Sequence, residues 1–408
     1  MRDQVLRNNL IAQYGLQIAQ YVIPFLTLPY LARVLGPDGY SVRAYVLSLS
    51  TLIQVFLDFG FLQYGTKLIS EANKEGTSLD GVVSLVVKAK TIILLPISVV
   101  SIAFAVFLPI IKSNATYATF AYMAMVMTSL IPDYYYMGVE KMRLLTIRYV
   151  ITRGIGLVLI FTLVQSGEDL IVVALIDLAV AAFALVMTIL DLKGNHRIKL
   201  IVYGSAKIVE HIKRASTYLI SNASCTINAS IAMVAIGYYV SDPLVVSSWS
   251  LALTVISAMQ ALFNPVANSL YPRMLATKDF SIVRKILTWS IPVMIILSIA
   301  VSSLSSLLFY ILGGEEYVGM AWVLSLLVPM LFCSFYGIML GFPVLGAAGK
   351  IKQMTVSSVA ASVLQVTGLF TLLSLGWFSL FSVCLLRNAT EFTLTVLRLI
   401  FCYKYIAS

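Results

Sequence analysis

Arg387, Glu391, Thr395 and Arg398 recur at three- and four-residue steps inside an apolar run, so on a helix they share one face. Two chemistries are open to such a stripe: an internal ion pair between Arg387 and Glu391, or the polar lining of a cavity. Arg148 and Arg153 have no carboxylate nearby in sequence. A guanidinium offers a fixed fork of donors that suits phosphate and other anions. Asp177 is the acid that could meet Arg153 across helices. Asp58, Lys90 and Asp177 are further ionisable groups within apolar surroundings.

Neutral amides form a second pattern. Gln13, Gln17 and Gln20 fall on one helical face, as do Gln260, Asn264 and Asn268. Asn222 and Asn228 stand among Ser221, Ser224 and Thr226. Amides in apolar helices bond across helix pairs, and a water-filled cavity that binds glycan has the same composition. Many amides, several arginines and few acids fit a polar, anionic, sugar-bearing cargo better than a lipophilic cation.

Other chemistries lack their residues. Cys225, Cys333, Cys384 and Cys402 all sit in apolar runs and read as packed side chains. His196 and His211, the only histidines, fall in a polar stretch read as a loop. No His/Cys cluster suggests a catalytic metal, and no cofactor is expected.

The elements that hold these residues follow from composition. Of 408 residues, 60% are hydrophobic and 11% are charged, against about 45–50% and about 25% in a soluble globular chain. A soluble enzyme, a disordered tail and a disulfide-rich secreted module are excluded. The expected fold is an all-α polytopic membrane protein. Spans of about 20 mostly apolar residues number about twelve, near 9–33, 41–69, 82–111, 115–137, 142–165, 169–192, 215–240, 243–272, 281–312, 318–346, 351–375 and 377–403. Arg153, Asp177 and Arg387 then lie near mid-span, where a charge is costly and faces a bundle interior or a water cavity. Glu391 lies one turn from Arg387, Asp58 in the inner half of its span, and Arg148 and Lys90 nearer the inner surface.

Charge orients the chain. With the N-terminus inside, only Arg33, Arg43 and Lys112 of the 28 lysines and arginines fall outside, and Arg387 is mid-span. Basic residues concentrate on cytoplasmic segments, so both termini are expected in the cytoplasm. The same rule accounts for the net charge of +10 without nucleic acid as a partner.

The longest polar stretch divides the chain into an N-terminal six-helix bundle (1–192), a cytoplasmic basic linker (193–214) and a C-terminal six-helix bundle (215–408). The halves look alike. Superimposing spans two and eight sets Gln54 on Gln260, Asp58 on Asn264 and Lys67 on Arg273, and spans three and nine pair Lys88 with Arg284 and Pro96 with Pro292. Parallel repeats of this kind place a transporter's substrate site between them. The outside loops, 36–40, 112–114, 167–168, 241–242 and 313–317, are short. They leave little room for the ordered catalytic loop that a membrane polymerase or glycosyltransferase needs.

Three stretches resemble a known family. Leu28-Pro29-Tyr30-Leu31-Ala32-Arg33-Val34-Leu35-Gly36-Pro37-Asp38-Gly39-Tyr40 is similar to its end of span one. Asp58-Phe59-Gly60-Phe61, followed by Gly65-Thr66-Lys67-Leu68-Ile69-Ser70, is similar to its span two. Pro132-Asp133-Tyr134-Tyr135-Tyr136-Met137-Gly138-Val139-Glu140-Lys141-Met142 is similar to the stretch that closes its span four. The family is the polysaccharide-transport branch of the multidrug/oligosaccharidyl-lipid/polysaccharide (MOP, MATE-like) exporters, closest to the Wzx-type O-antigen repeat-unit flippases. Met137 stands where the family often has Gln, Tyr134 where Trp is common and Lys67 where Arg is common.

The resemblance implies a V-shaped pair of six-helix bundles in a bacterial inner membrane. It implies transfer of an undecaprenyl-pyrophosphate-linked oligosaccharide from the cytoplasmic to the periplasmic leaflet by alternating access, with an H+ or Na+ gradient as the candidate driving force. On that reading Arg153 and Arg387 attract pyrophosphate or acidic sugar, while Arg148 and Lys90 guide its approach. Gln13, Gln17, Gln260, Asn264 and Asn268 face the glycan, and Asp58, Asp177 and Glu391 are candidates for ion coupling. Membrane lipid, a polysaccharide polymerase and a chain-length regulator are the expected partners. The rival functions are a multidrug/cation antiporter of the same fold, a lipid II flippase and a polysaccharide polymerase.

Overall fold

Apolar runs of spanning length leave backbone groups no water to bond, and a helix satisfies them within one segment. The computed structural model describes residues 2–194, 198, 205–240 and 242–406, and among these no strand occurs. The helices are α1 (Arg2–Val34), α2 (Gly36–Asp58), α3 (Phe61–Glu75), α4 (Leu79–Ala105), α5 (Pro109–Ser113), α6 (Ala115–Leu130), α7 (Asp133–Gly138), α8 (Met142–Leu163), α9 (Leu170–Gly194), α10 (Ser205–Tyr239), α11 (Pro243–Thr277), α12 (Ser281–Ser303), α13 (Ser305–Gly313), α14 (Glu315–Val318), α15 (Trp322–Leu340), α16 (Ile351–Ser374) and α17 (Leu380–Ile406). A π-helical stretch, Gly341–Gly346, continues α15.

The apolar stretches expected to span are largely helical, several with short breaks. Among the described residues, nine helical stretches are long and apolar enough to cross a membrane, or ten if Ile208–Ser224 and Thr226–Tyr239, bent by 53°, form one span. The glutamine-bearing α1 is outside that set, and so is α6, at 16 residues. The chain is a multi-pass, all-α membrane protein. Hydroxyls inside its helices return their protons to the preceding turn, as Thr188 does to the Ala184 carbonyl at 2.7 Å. Asp242 caps α11 by accepting the Leu244 N–H at 2.9 Å.

Contacts group the chain into two units, Met1–Thr226 and Ile227–Ser408. In the first, α1 packs on α8, α6 on α9, and α3 on both α7 and α4. In the second, α15 packs on α11, α12 and α17, and α16 lies against α17. The boundary falls inside α10 rather than in the polar stretch before it. That stretch is not wholly loop: α9 runs to Gly194 and α10 begins at Ser205. His211 is therefore helical, while His196 lies outside the described residues. Ile208, Ile212 and Ala215 explain the early start, since their three- and four-residue spacing presents one apolar face to the first unit's core.

Short breaks interrupt the first unit. Phe59 (φ 46°) and Gly60 (φ 75°) are both left-handed and separate α2 from α3. Ile131 and Pro132 separate α6 from α7, and Glu140 (φ 58°) lies between α7 and α8. Asp58 thus ends a helix, whereas Asn264, its counterpart in the internal alignment, lies within unbroken α11. Pro96 and Pro292 both sit inside helices.

Candidate functional site

In the first unit α8 carries Arg148 and Arg153 five residues apart, on different faces. Arg148 turns toward α7 and α9: Nη2 meets Asp133 Oδ1 at 2.5 Å, and Nη1 donates to Thr188 Oγ1 at 3.1 Å. Arg153 Nη1 stands 3.8 Å from Asp177 Oδ1 on α9, with the guanidinium 5.9 Å from the centre of the Tyr149 ring. Lys90 on α4 is buried. Its Nζ donates to Asp58 Oδ1 at 3.0 Å and to the Ser129 carbonyl at 2.6 Å.

In the second unit Arg387 is buried on α17. Its Nη1 lies 3.4 Å from Glu391 Oε2 and donates to Asn228 Oδ1 at 3.3 Å and Thr390 Oγ1 at 3.1 Å. Thr390 passes its proton to Gln365 Oε1 or to the Arg387 carbonyl. Further along the same face, Thr395 donates to the Cys333 carbonyl at 2.9 Å, and Arg398 Nη1 to the Gly337 carbonyl at 2.7 Å. The stripe of α17 therefore binds α15, α16 and α10 together.

Each basic residue considered for anions thus has an acid beside it, and three of those acids are Asp58, Asp177 and Glu391. Uncovered surface separates the pairs. The side chains of Lys90, Arg148 and Arg387 are 8%, 11% and 8% exposed, while Arg153 is 42% exposed. Removing one partner of a buried pair costs about 3–5 kcal/mol because the other charge is stranded. An exposed pair is worth about 0–1 kcal/mol. Only Arg387–Glu391 has both partners buried; Asp58 and Asp133 are 34% and 35% exposed, and Arg153–Asp177 is the most open pair.

The amides are arranged along two helices, one in each unit. On α1, Gln13 and Gln20 are exposed and Gln17 is half-buried; on α11, Gln260 and Asn264 are half-buried and Asn268 is exposed. Asn222 instead exchanges hydrogen bonds with Gln63, at 3.2 and 3.5 Å, and Asn228 serves Arg387. Among the described cysteines, Cys384 and Cys402 are buried and Cys333 is half-buried, and no group of metal-ligating side chains occurs among the described residues.

The motif residues shared by α3 and α7 meet face to face. A Cβ on Gly65 would lie 2.8 Å from the Tyr134 ring, and one on Gly138 would lie 2.5 Å from Ile69 Cβ. Each glycine admits a bulky neighbour from the opposing helix. Gly60 does the same for α10, where a Cβ would lie 2.7 Å from the Ala215 carbonyl oxygen. Tyr64 and His211 Nδ1 are hydrogen-bonded at 2.7 Å, and Tyr136 donates to Asp191 at 2.6 Å. Met137 packs against the apolar core here, as its departure from the family's glutamine suggests. Asp133, Thr188 and Gln365 were not singled out from sequence as site residues. Of these, only Asp133, inside the motif, had a signal that could have found it.

The profile of a family described as polysaccharide biosynthesis protein matches residues 6–278. The "Putative O-antigen transporter" of Escherichia coli (strain K12) is 23% identical over 402 residues, covering 97% of this chain and 96% of its own. A protein of the same description from Shigella dysenteriae is 22% identical over 319 residues, covering 76% of this chain and 79% of its own. Among solved structures, lipid II flippase MurJ in an inward closed conformation superimposes with a TM-score of 0.70 at 15% identity, covering 98% of this chain and 89% of that one. An inward-facing multidrug resistance MATE family transporter of the MOP superfamily gives 0.68 at 14% identity, covering 95% and 98%. At these identities the two structures establish the fold. The family match extends over more than half of the sequence, and the motifs at 28–40, 58–70 and 132–142 fall within it: the chain belongs to the polysaccharide biosynthesis protein family.

Proposed function

We propose that this protein is a flippase for undecaprenyl-pyrophosphate-linked oligosaccharide, the repeat unit of O-antigen or a related surface polysaccharide. It is a transporter of the polysaccharide/lipid-linked flippase type, not an enzyme. The finer reading places it in a bacterial inner membrane, carrying its cargo from the cytoplasmic to the periplasmic leaflet by alternating access of two six-helix halves. The relatives named as O-antigen transporters support the cargo class. The observation that carries the site is Arg153: a mid-span arginine, two-fifths exposed, 3.8 Å from Asp177 and lying over the Tyr149 ring.

On this reading Arg153 takes the pyrophosphate or an acidic sugar. Gln13, Gln17, Gln260, Asn264 and Asn268 offer amides to the glycan. Asp177 is the acid most open to a coupling H+ or Na+, and Asp58 and Glu391 serve through their basic partners. Arg387, Arg148 and Lys90 hold the helices that frame the path. A polysaccharide polymerase and a chain-length regulator act downstream on the delivered repeat unit. A cation antiporter would need acids free of basic partners, and Asp58, Asp177 and Glu391 each have one.

The test is genetic. A host lacking its own repeat-unit flippase is expected to regain surface polysaccharide with this gene, if supplied with the matching glycan. Accumulation of inner-leaflet lipid-linked repeat unit despite normal protein level would refute the assignment.

A further inference from the structure

Lys90 touches two helix breaks at once. Its Nζ reaches the carboxylate of Asp58, the last residue of α2, beside the left-handed pair Phe59 and Gly60. It also reaches the Ser129 carbonyl near the end of α6. That carbonyl has lost its helical donor, because the Asp133 N–H bonds instead to Ile131 at 3.0 Å. A buried ammonium therefore bridges a half-buried carboxylate and a carbonyl that lacks its helical donor, from two different spans.

Beyond the two breaks lies a distinct layer. α3 and α7 interlock through Gly65 and Gly138, and the first half of α10 rests on Gly60. Phe61, Tyr64, Ile69, Tyr134, Tyr135 and Ala215 share one buried apolar cluster with the facing residues of α4. The layer is bounded by residues that absorb backbone change: Phe59 and Gly60, Ile131 and Pro132, Glu140, and the 53° bend of α10. A packed body edged by breaks is built to turn as one piece.

We infer that Lys90 is a positioning residue that ties the α2/α3 break to the α6/α7 break, so that α3 and α7 turn together when the transporter changes access. The inference rests on the flippase reading for the meaning of that turn, and on geometry alone for the tie.

Hydrogen–deuterium exchange in nanodiscs, paired with a flipping assay, tests it. In Lys90→Met, exchange is expected to rise at both 57–62 and 128–133, with α15 still protected and flipping reduced on the order of tenfold. Asp58→Asn, which keeps the Ser129 contact, is expected to loosen 57–62 only. The double variant Lys90→Met/Asp58→Leu restores an apolar contact between α2 and α4 but leaves Ser129 without its donor. It is expected to recover protection at 57–62, not at 128–133, and to remain slow. Loosening at a single break in Lys90→Met, or normal flipping in the double variant, would overturn the inference. The expected exchange changes across the variants, with a folded wild type that moves no lipid-linked oligosaccharide, would contradict the flippase reading and keep the tie.

Discussion

Arg153 and Asp177 face each other across α8 and α9 at 3.8 Å, with 42% and 36% of their side chains exposed. Arg387 and Glu391 stand closer, at 3.4 Å, and are almost shut off from solvent at 8% and 11%. The two pairs have the same charges and opposite consequences. The open pair leaves part of its guanidinium uncovered, which is what the proposed anion site requires. In the closed pair, Arg387 Nη1 is tied to Asn228 on α10 and to Thr390 on α17.

Substitution separates them. Arg153→Ala is expected to change the apparent melting temperature little, since an exposed pair contributes about 0–1 kcal/mol, while reducing transport strongly. Arg387→Ala strands Glu391 and is expected to cost about 3–5 kcal/mol, visible as lost yield and a lower melting temperature. The double change Arg387→Met/Glu391→Leu should recover most of that stability. A stable Arg387→Ala protein would show that the buried tie is unimportant.

The glycines between α3 and α7 give a steric prediction. Gly138→Ala puts a Cβ 2.5 Å from Ile69, and forced overpacking costs about 1–3 kcal/mol. Trimming the neighbour to glycine, in Gly138→Ala/Ile69→Gly, removes the Ile69 Cβ and Cγ2 that the new methyl meets but leaves α3 short of apolar contact. The pair should therefore be less than additive by thermal unfolding. Strictly additive losses would mean that the two side chains do not meet.

Asp279, in the turn between α11 and α12, supplies a pH prediction. It accepts the Ser281 N–H at 3.0 Å, and the Ser281 hydroxyl and N–H hold its carboxyl below the ordinary 3.8. A depressed folded pKa means the stabilisation is complete above the unfolded value and disappears as pH falls through the folded one. Asp279→Ala should lower the melting temperature at neutral pH, and the difference should shrink as pH is taken below 3.8. An undiminished difference in acid would assign the effect to something other than the carboxylate.

Much of this arrangement was legible in the residues. The spans follow from apolar length, and Arg387 and Glu391 reveal their pairing through a four-residue step on one helix. Arg153–Asp177 was readable only as two mid-span charges of opposite sign, each needing a partner. Lys90–Asp58 was not readable: the residues lie on separate helices, and no periodicity reports which helices adjoin. The same holds for Arg148, whose acid lies across the α7/α8 break. The break at Phe59 was hidden because a left-handed phenylalanine has no local signature, and only the glycine after it hints at a turn. The early start of α10 was masked by its charges, which lie on the faces away from Ile208, Ile212 and Ala215.

The central claim is that the protein moves a lipid-linked oligosaccharide and holds its anion at Arg153. Proteoliposomes containing a pyrophosphate-linked polyprenyl oligosaccharide in one leaflet, probed from the other side with an impermeant sugar-directed reagent, test both parts. The account predicts protein-dependent exposure of the sugar, largely lost in Arg153→Ala and retained in Arg153→Lys, with both variants folded. Absence of exposure by folded wild-type protein, with proton and sodium gradients imposed in turn, would contradict it.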